Sequence, residues 1–261
     1  MATLQTTSSK HPLCNLYPED HTITVDMPYR QIGGGLNSSY AQGGAGQINN
    51  QLLINEAYKS ATNFGNITVP VGGEMALKFP DGSEYRGNLR NNKPHGQGTY
   101  IRPDRTYHNG EWYNGLPQGY GVEAYPNGDV YKGLFQLGQR EGEIGEYISP
   151  RFKYAGTWVE GMMSGRGKLN FVGSNQKYTG EFQRNKFHGF GLYTYPSGVT
   201  YEGFFVDGLK HGRGKLILPD GSFYLGDWER GQPTDKAVFN DKNGNSVIGY
   251  WQNGNFVPKS S

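Results

Sequence analysis

An all-β chain, built as an elongated single-layer antiparallel sheet of stacked hairpins, is what three observations predict. The first is a period. A glycine recurs at Gly87, Gly110, Gly133, Gly156, Gly180, Gly203, Gly226 and Gly249, at intervals of 23 residues with a single 24. Such regularity marks a repeat array, in which each unit covers its neighbours and no large common core is needed. The second is alternation. Around six of these eight glycines the chain reads aromatic-x-Gly-x-aromatic, which places the two rings and the glycine on one face of a strand. The third is the turn Phe79-Pro-Asp-Gly82, repeated as Tyr125-Pro-Asn-Gly128, Tyr195-Pro-Ser-Gly198 and Leu218-Pro-Asp-Gly221. Proline presets φ at the first central position and Gly supports the reversal.

Residues 1–74 precede the array and do not repeat. They are rich in Ser, Thr, Asn, Gln and Gly, a composition poor in core-forming residues. One short helix is predicted over Asn50–Asn63, with Leu53, Ala57 and Ala61 on one face. Scattered apolar residues (Leu13, Leu16, Ile23, Val25, Ile32, Leu36, Leu52, Leu53) leave two readings open, a disordered tail or an extended arm that orders against a partner.

The array occupies residues 75–257, about seven and a half repeats, and residues 258–261 form a tail. Each unit is predicted as two strands of about five to six residues, joined by the Pro-x-Gly turn and by a second loop of the form G-x-x-H-G-x-G. Gly165-Arg-Gly-Lys168 is such a loop; it lacks the spacing and following helix of a phosphate loop. The first ring position is held by Tyr85, His108, Tyr131, Tyr154, Tyr178, Tyr201, Tyr224 and Val247. The second is held by Leu89, Trp112, Phe135, Trp158, Phe182, Phe205, Trp228 and Trp251, which takes in every tryptophan of the chain. Stacked hairpins therefore carry two aromatic ladders on one face. The other face is more polar, with Glu111, Lys132, Glu181, Glu202 and Asp227. At ~4.8 Å per strand the array would make a rod of roughly 70 Å. The pattern degenerates at Gln139–Pro150, where Glu141 replaces His, and after Gly231, where Thr234-Asp-Lys236 replaces the glycine loop.

Composition bounds the function. The net charge is +2, which favours neither nucleic acid nor a strongly basic membrane surface. The single cysteine, Cys14, allows no intramolecular disulfide. No secretory h-region, no apolar run of about 18 residues and no myristoylation motif is seen. Asn37-Ser-Ser39 and Asn66-Ile-Thr68 match the glycosylation pattern, which reads as coincidence without a signal peptide.

The consensus Y-x-G-x-[WF]-x-x-G-x-x-H-G-x-G-x-x-x-[YFL]-P-x-G resembles the MORN repeat (membrane occupation and recognition nexus). Tyr201-Glu-Gly203, Gly208-Leu-Lys-His211-Gly-Arg-Gly214 and Pro219-Asp-Gly221 carry the resemblance at nearly every defining position. MORN arrays accompany lipid kinases and a histone methyltransferase, and also stand in junctional membrane proteins, cytoskeletal scaffolds and radial spoke heads. With no catalytic or membrane-spanning partner domain in view, the resemblance implies the scaffold class: a non-enzymatic protein in the cytoplasm or cytoskeleton, with the cilium or flagellum axoneme as its setting. Its partners would be other proteins of a large assembly, with self-association open and no nucleic acid.

Candidate sites follow. His95, His188 and His211 share one repeat position, which suggests either a metal site or, since Gln118, Glu141 and Ser164 replace them elsewhere, braces for their own loops. The bracing role is favoured, so no metal, no cofactor and no catalytic residue is expected. Glu181 and Glu202 recur with the strand period and read as a solvated face. The expected partner groove is the aromatic ladder: Trp112, Tyr131, Phe135, Tyr154, Trp158, Tyr178, Phe182, Tyr201, Phe205, Tyr224 and Trp228, receiving an apolar helix or extended segment. The same ladder is also a candidate core that holds neighbouring units together. The runner-up function is a peripheral tether binding acidic phospholipids through Arg86, Arg90, Lys93, Lys186, Lys210, Arg213 and Lys215.

Overall fold

The structure, a computed structural model, describes residues 75–252 and 254–259. The N-terminal segment, its expected helix at 50–63 and the last two residues lie outside the described residues. The described chain forms two compact units, falling at residues 75–173 and 174–259. It contains strands and turns and, among the described residues, no helix.

The first unit holds β1 (Met75–Lys78), β2 (Glu84–Arg90), β3 (Lys93–Ile101), β4 (Tyr107–Tyr113), β5 (Leu116–Ala124), β6 (Val130–Gln136), β7 (Gln139–Ile148), β8 (Phe152–Val159) and β9 (Met162–Phe171). The second holds β10 (Lys177–Gln183), β11 (Lys186–Thr194), β12 (Thr200–Val206), β13 (Leu209–Ile217), β14 (Phe223–Glu229), β15 (Gln232–Asn240), β16 (Ser246–Gln252) and β17 (Asn255–Pro258). Within each unit every strand pairs antiparallel with its sequence neighbours. Each unit is thus a single-layer sheet of stacked hairpins, as the period predicts.

The Pro-x-Gly turns form as expected. In Phe79-Pro-Asp-Gly82 the Gly82 N–H donates to the Phe79 carbonyl at 2.9 Å, and Gly82 sits at φ +84. A side chain there would meet the left-handed penalty, so glycine ends the turn. Asp81 accepts from the Ser83 N–H at 3.0 Å and fixes the entry of the next strand.

The second connection differs from expectation. It is a two-residue turn with both residues at positive φ, such as Asn114-Gly115, Leu137-Gly138 and Asp207-Gly208. This is the hairpin turn whose twist matches its strands. The H-G-x-G segment, Gly165-Arg-Gly-Lys168 included, is not a loop but lies inside the longer strand of each hairpin. A register shift there, between Gly203 and Phe204 on the partner strand for example, makes a β-bulge. The strands are therefore mostly seven and nine residues long rather than five to six. Neighbouring hairpins are also stapled: the turn-glycine N–H of Gly138 donates to Pro117, that of Gly161 to Arg140 and that of Gly231 to Lys210, each at 2.9 Å.

Candidate functional site

The ladder is built from the bulge upward. A bulge leaves one strand carbonyl outside the sheet ladder, and a buried carbonyl needs a donor. The tyrosine three residues earlier supplies it. Tyr85 donates its hydroxyl to Asn88 O at 2.9 Å, Tyr131 to Leu134 O at 3.0 Å, Tyr154 to Thr157 O at 2.9 Å, Tyr178 to Glu181 O at 2.8 Å and Tyr201 to Phe204 O at 3.2 Å. To reach that carbonyl each ring must lie down across the sheet, over the glycines of both strands. A Cβ at Gly203 would stand 2.6 Å from the Tyr201 hydroxyl and 2.7 Å from Gly214 Cα. Hence glycine is required there for space. Burial raises the phenol pKa throughout, to about 12 for Tyr85, so these hydroxyls stay protonated donors.

Onto each flat tyrosine come the second-position rings, edge to face. Tyr131 meets Phe135 at 5.2 Å and Trp158 at 5.0 Å; Tyr201 meets Phe205 at 5.2 Å and Trp228 at 5.1 Å. This is the geometry that ring quadrupoles favour. Trp112 and Trp158 also donate Nε1–H to the carbonyls of Gly98 and Gly145 at 2.9 and 3.2 Å.

The ladder is thereby closed. Trp112, Tyr131, Phe135, Tyr154, Trp158, Tyr178, Phe182, Tyr201, Phe205, Tyr224 and Trp228 are all at most 6% exposed. The expected open groove lined by these rings is not seen among the described residues, because the tyrosines lie flat over the glycines and the second-position rings pack on them edge to face. They form the core of their unit, and a partner segment would reach them only by unpacking the hairpins.

A third layer was not legible in the sequence. One residue per repeat, just past the two-residue turn, caps the ladder tyrosine. Its occupants are Pro94, Pro117, Arg140, Met163, Phe187, Lys210 and Pro233, registered opposite the second ring. Phe187 stacks on Tyr178 at 3.8 Å. Arg140 and Lys210 bring buried cations. The Arg140 guanidinium lies 5.0 Å from the Tyr131 ring centre and 5.4 Å from that of Trp158. It donates to Glu123 at 3.1 Å and to the Tyr125 hydroxyl at 2.7 Å. Lys210 Nζ lies 4.5 Å from the Trp228 ring centre and donates to the Tyr195 hydroxyl at 3.1 Å. In both cases the tyrosine stands just before the turn proline and 15 residues before the cation. Elsewhere in the chain that pair reads Phe79 with Pro94 and Leu218 with Pro233.

His108 interrupts the ladder. It packs edge to face on Trp112 at 5.1 Å and on Phe135 at 4.5 Å, and neither ring nitrogen has a hydrogen-bond partner. Burial lowers its pKa to about 4, outweighing the nearby Glu123 carboxylate. Of the shared-position histidines, His95 rests against Tyr113 at 5.2 Å with its Nδ1 unbonded. No group of three His, Cys, Asp or Glu gathers around a metal position among the described residues.

The opposite face is less polar than the sequence reading implied. Glu111, Glu181 and Asp227 are exposed there, but so are Tyr113, Leu134, Phe190, Leu192, Phe204, Val206, Ile248 and Tyr250. Phe190 and Phe204 are in register and meet edge to face at 5.6 Å.

A sheet of Tyr-x-Gly hairpins with flat tyrosines over paired glycines defines a repeat scaffold class. The chain carries five MORN repeats: the MORN repeat family model matches residues 85–107, 108–130, 154–175, 178–200 and 201–223. The unmatched stretch 131–153 is where Glu141 and Ile144 depart from the consensus, yet β6 and β7 still pair there. Among relatives, Alsin of Rattus norvegicus is 30% identical and Alsin of Homo sapiens 31% identical, each over 140 residues, covering 50% of this chain. The match takes in only 8% of Alsin's own length. Among solved structures, the Drosophila melanogaster SAS-4 (dCPAP) TCP domain, in complex with a proline-rich motif of Ana2 (dSTIL), is similar at TM-score 0.39 and 11% identity. That likeness covers 71% of this chain and 97% of that one. MORN repeats make the chain a scaffold of the protein-interaction or membrane-binding type.

Proposed function

We propose that this chain is a non-enzymatic structural scaffold that mediates protein–protein interactions in a cytoskeletal assembly, with the ciliary axoneme, in a radial spoke head type of role, as its setting. Partner contact is made on the face opposite the ladder in the second unit. The observation that carries this is the exposed pair Phe190 and Phe204, 47% and 49% accessible, with Leu192 beside them. They stand on a sheet whose other face is locked by the ladder, so the apolar patch is held rigid and presented to solvent. Such a patch accepts an apolar helix or an extended segment. Its setting is supported by the resemblance of the array to ciliary and cytoskeletal MORN proteins.

The test is extraction of ciliated cells expressing the tagged full chain, with detergent and then high salt. Wild type is expected to stay with the axoneme through both steps. The Phe190→Ser/Phe204→Ser variant, with unchanged thermal unfolding, is expected to wash out. Equal retention of the two would refute the patch, and absence of wild type from cilia would refute the setting.

The membrane tether finds weaker support. Arg86 pairs with Glu84 at 3.2 Å, Lys186 with Asp207 at 3.3 Å and Arg213 with Asp227 at 3.9 Å, while Lys210 is buried. Binding to acidic but not neutral liposomes, falling with salt, would restore that reading.

A further inference from the structure

The face opposite the ladder has a regular device of its own, and it too starts from the bulge. The residue after each ladder glycine lays its side chain over the positive-φ glycine of the next strand. In the first unit a Cβ at Gly96 would meet Asn88, one at Gly119 would meet Glu111, one at Gly142 Leu134 and one at Gly165 Thr157. The missing Cβ makes the room. One side chain per hairpin is thus held at a fixed place on the outer face, while its chemistry changes from repeat to repeat.

In the first unit this row sets an apolar pair between carboxylates. Leu134, 46% exposed, is in register with the half-buried Tyr120. The two hold the repeat positions of Phe204 and Phe190 in the second unit. Ile144, 80% exposed, stands on the next strand, two residues past the glycine that Leu134 covers. On one flank Glu111 accepts from the Tyr120 backbone N–H at 3.3 Å. On the other, Glu141 is in register with Leu134. Burial first, and then the charge of Glu146, raise the Tyr120 phenol pKa, so a third carboxylate acts on the pair. Among the described residues of β4 to β7, Lys132 is the one cation on this face, in register with Glu146. The second unit is flanked differently: Glu181 lies over Gly189 on one side, and His211 is in register with Phe204 on the other. Glu141 stands where those repeats have histidine, so the departure from consensus in β7 gives the row its second carboxylate.

We propose that this row docks an extended segment of a partner protein with the pattern basic-x-apolar-x-basic. Glu111 on β4 and Glu141 on β7 are three strand spacings apart, about 14 Å, and four residues of extended chain span about 13 Å with alternate side chains on one face. The apolar residue rests on Tyr120 and Leu134, and the basic residues on either side of it reach the two flanks. Three carboxylates against one ammonium select those cations and turn away acidic phospholipid. The row adds a second docking site to the scaffold reading, and it rests neither on the Phe190–Phe204 patch nor on the ciliary setting.

The test is titration of the isotope-labelled full chain with the synthetic peptide Thr-Lys-Thr-Phe-Thr-Lys-Thr and with its acidic twin, Glu in place of Lys, read from amide shifts. The basic peptide is expected to move amides of β4 to β7 and to bind about 10-fold more tightly than its twin at low salt, with the gap closing as salt rises. With thermal unfolding unchanged, Leu134→Ser should weaken it about 10-fold and Glu111→Gln/Glu146→Gln about 5-fold. Phe190→Ser/Phe204→Ser should leave its binding as it was, which separates this row from the second-unit patch. No binding of the basic peptide, equal binding of the twin, or loss of binding in Phe190→Ser/Phe204→Ser would each overturn the proposal. Sedimentation of the free chain tests the other occupant: a dimer that Leu134→Ser splits would make the face a contact between copies and would overturn it as well.

Discussion

Arg140 in the first unit and Lys210 in the second occupy one repeat position, yet their surroundings differ. Arg140 is held by a buried carboxylate, Glu123, at 3.1 Å, and by the Tyr125 hydroxyl. Lys210 lies over Trp228 and meets the Tyr195 hydroxyl. The first unit thus stakes its core on a charge pair, and the second on a cation among rings. The lesson is that the cap position specifies a volume over the ladder tyrosine. Proline, methionine, phenylalanine or a cation's apolar stem all fill it, and a charged head must then find polar company.

Removing one half of the charge pair should separate the units most. Glu123→Ala leaves the Arg140 charge buried without its carboxylate and is expected to destabilise the first unit by about 3–5 kcal/mol. Lys210→Met keeps the stem over Trp228 and is expected to cost about 1 kcal/mol or less. Urea unfolding, with hydrogen exchange to assign the loss to β4–β8 or β11–β14, measures both. The double variant Glu123→Leu/Arg140→Met should recover most of the first loss, since apolar replacement of a buried pair is close to neutral. Equal costs for Glu123→Ala and Lys210→Met would erase the distinction between the units.

Acid should find the same unit. His108 titrates near 4 when folded because burial disfavours its charge, and near 6.5 when unfolded. Between those values the unfolded chain binds a proton that the folded chain refuses. Stability is therefore fully present above pH 6.5 and falls as pH drops toward 4, by about 3 kcal/mol over the window. The loss should register in hydrogen exchange on β4 and β5. His108→Phe should flatten the slope; an unchanged slope in that variant would assign it to other groups.

The glycines test what the two units share. In the first, a Cβ at Gly145 would stand 2.6 Å from Trp158 Cδ1 and 2.8 Å from the Tyr131 hydroxyl; in the second, Gly203 is equally confined by Tyr201. Gly145→Ala and Gly203→Ala are each expected to cost about 1–3 kcal/mol through overpacking, read from urea midpoints. A loss at only one of them would mean that the ladder is not the same device in both units.

Much of this was legible in the sequence. The 23-residue period fixed the hairpin, and alternation placed Tyr178 and Phe182 on one face with Gly180 between them. The Pro-x-Gly signal located four of the turns. Three features were hidden for physical reasons. H-G-x-G looks like a loop because two glycines in four residues usually end a strand, but here one serves the bulge and the other makes room for a ring. The caps share volume and not chemistry, so no residue type marks Pro117, Arg140 and Phe187 as equivalent. The ladder's burial was also out of reach, because alternation gives the face a ring is on but not whether it stands or lies flat. Only the hydroxyl-to-carbonyl bond at each bulge decides that.

That bond gives the smallest and most local prediction. Tyr201→Phe keeps the ring over Gly203 and Gly214 and removes only the donor to Phe204 O, so it should cost about 1 kcal/mol. Tyr131→Phe should cost a similar amount through Leu134 O. His108 is the natural counterpart, because an imidazole is too short to reach over Gly121 to the bulge carbonyl of Glu111. His108→Tyr should therefore gain about 1 kcal/mol at pH 7 and remove the acid slope as well, if the flat tyrosine is the unit's own solution to an orphaned carbonyl. Thermal unfolding of the three variants side by side decides it. A loss in His108→Tyr would mean that the space between Trp112 and Phe135 has been fitted to the smaller ring, and that the first unit has departed from the repeat there for packing.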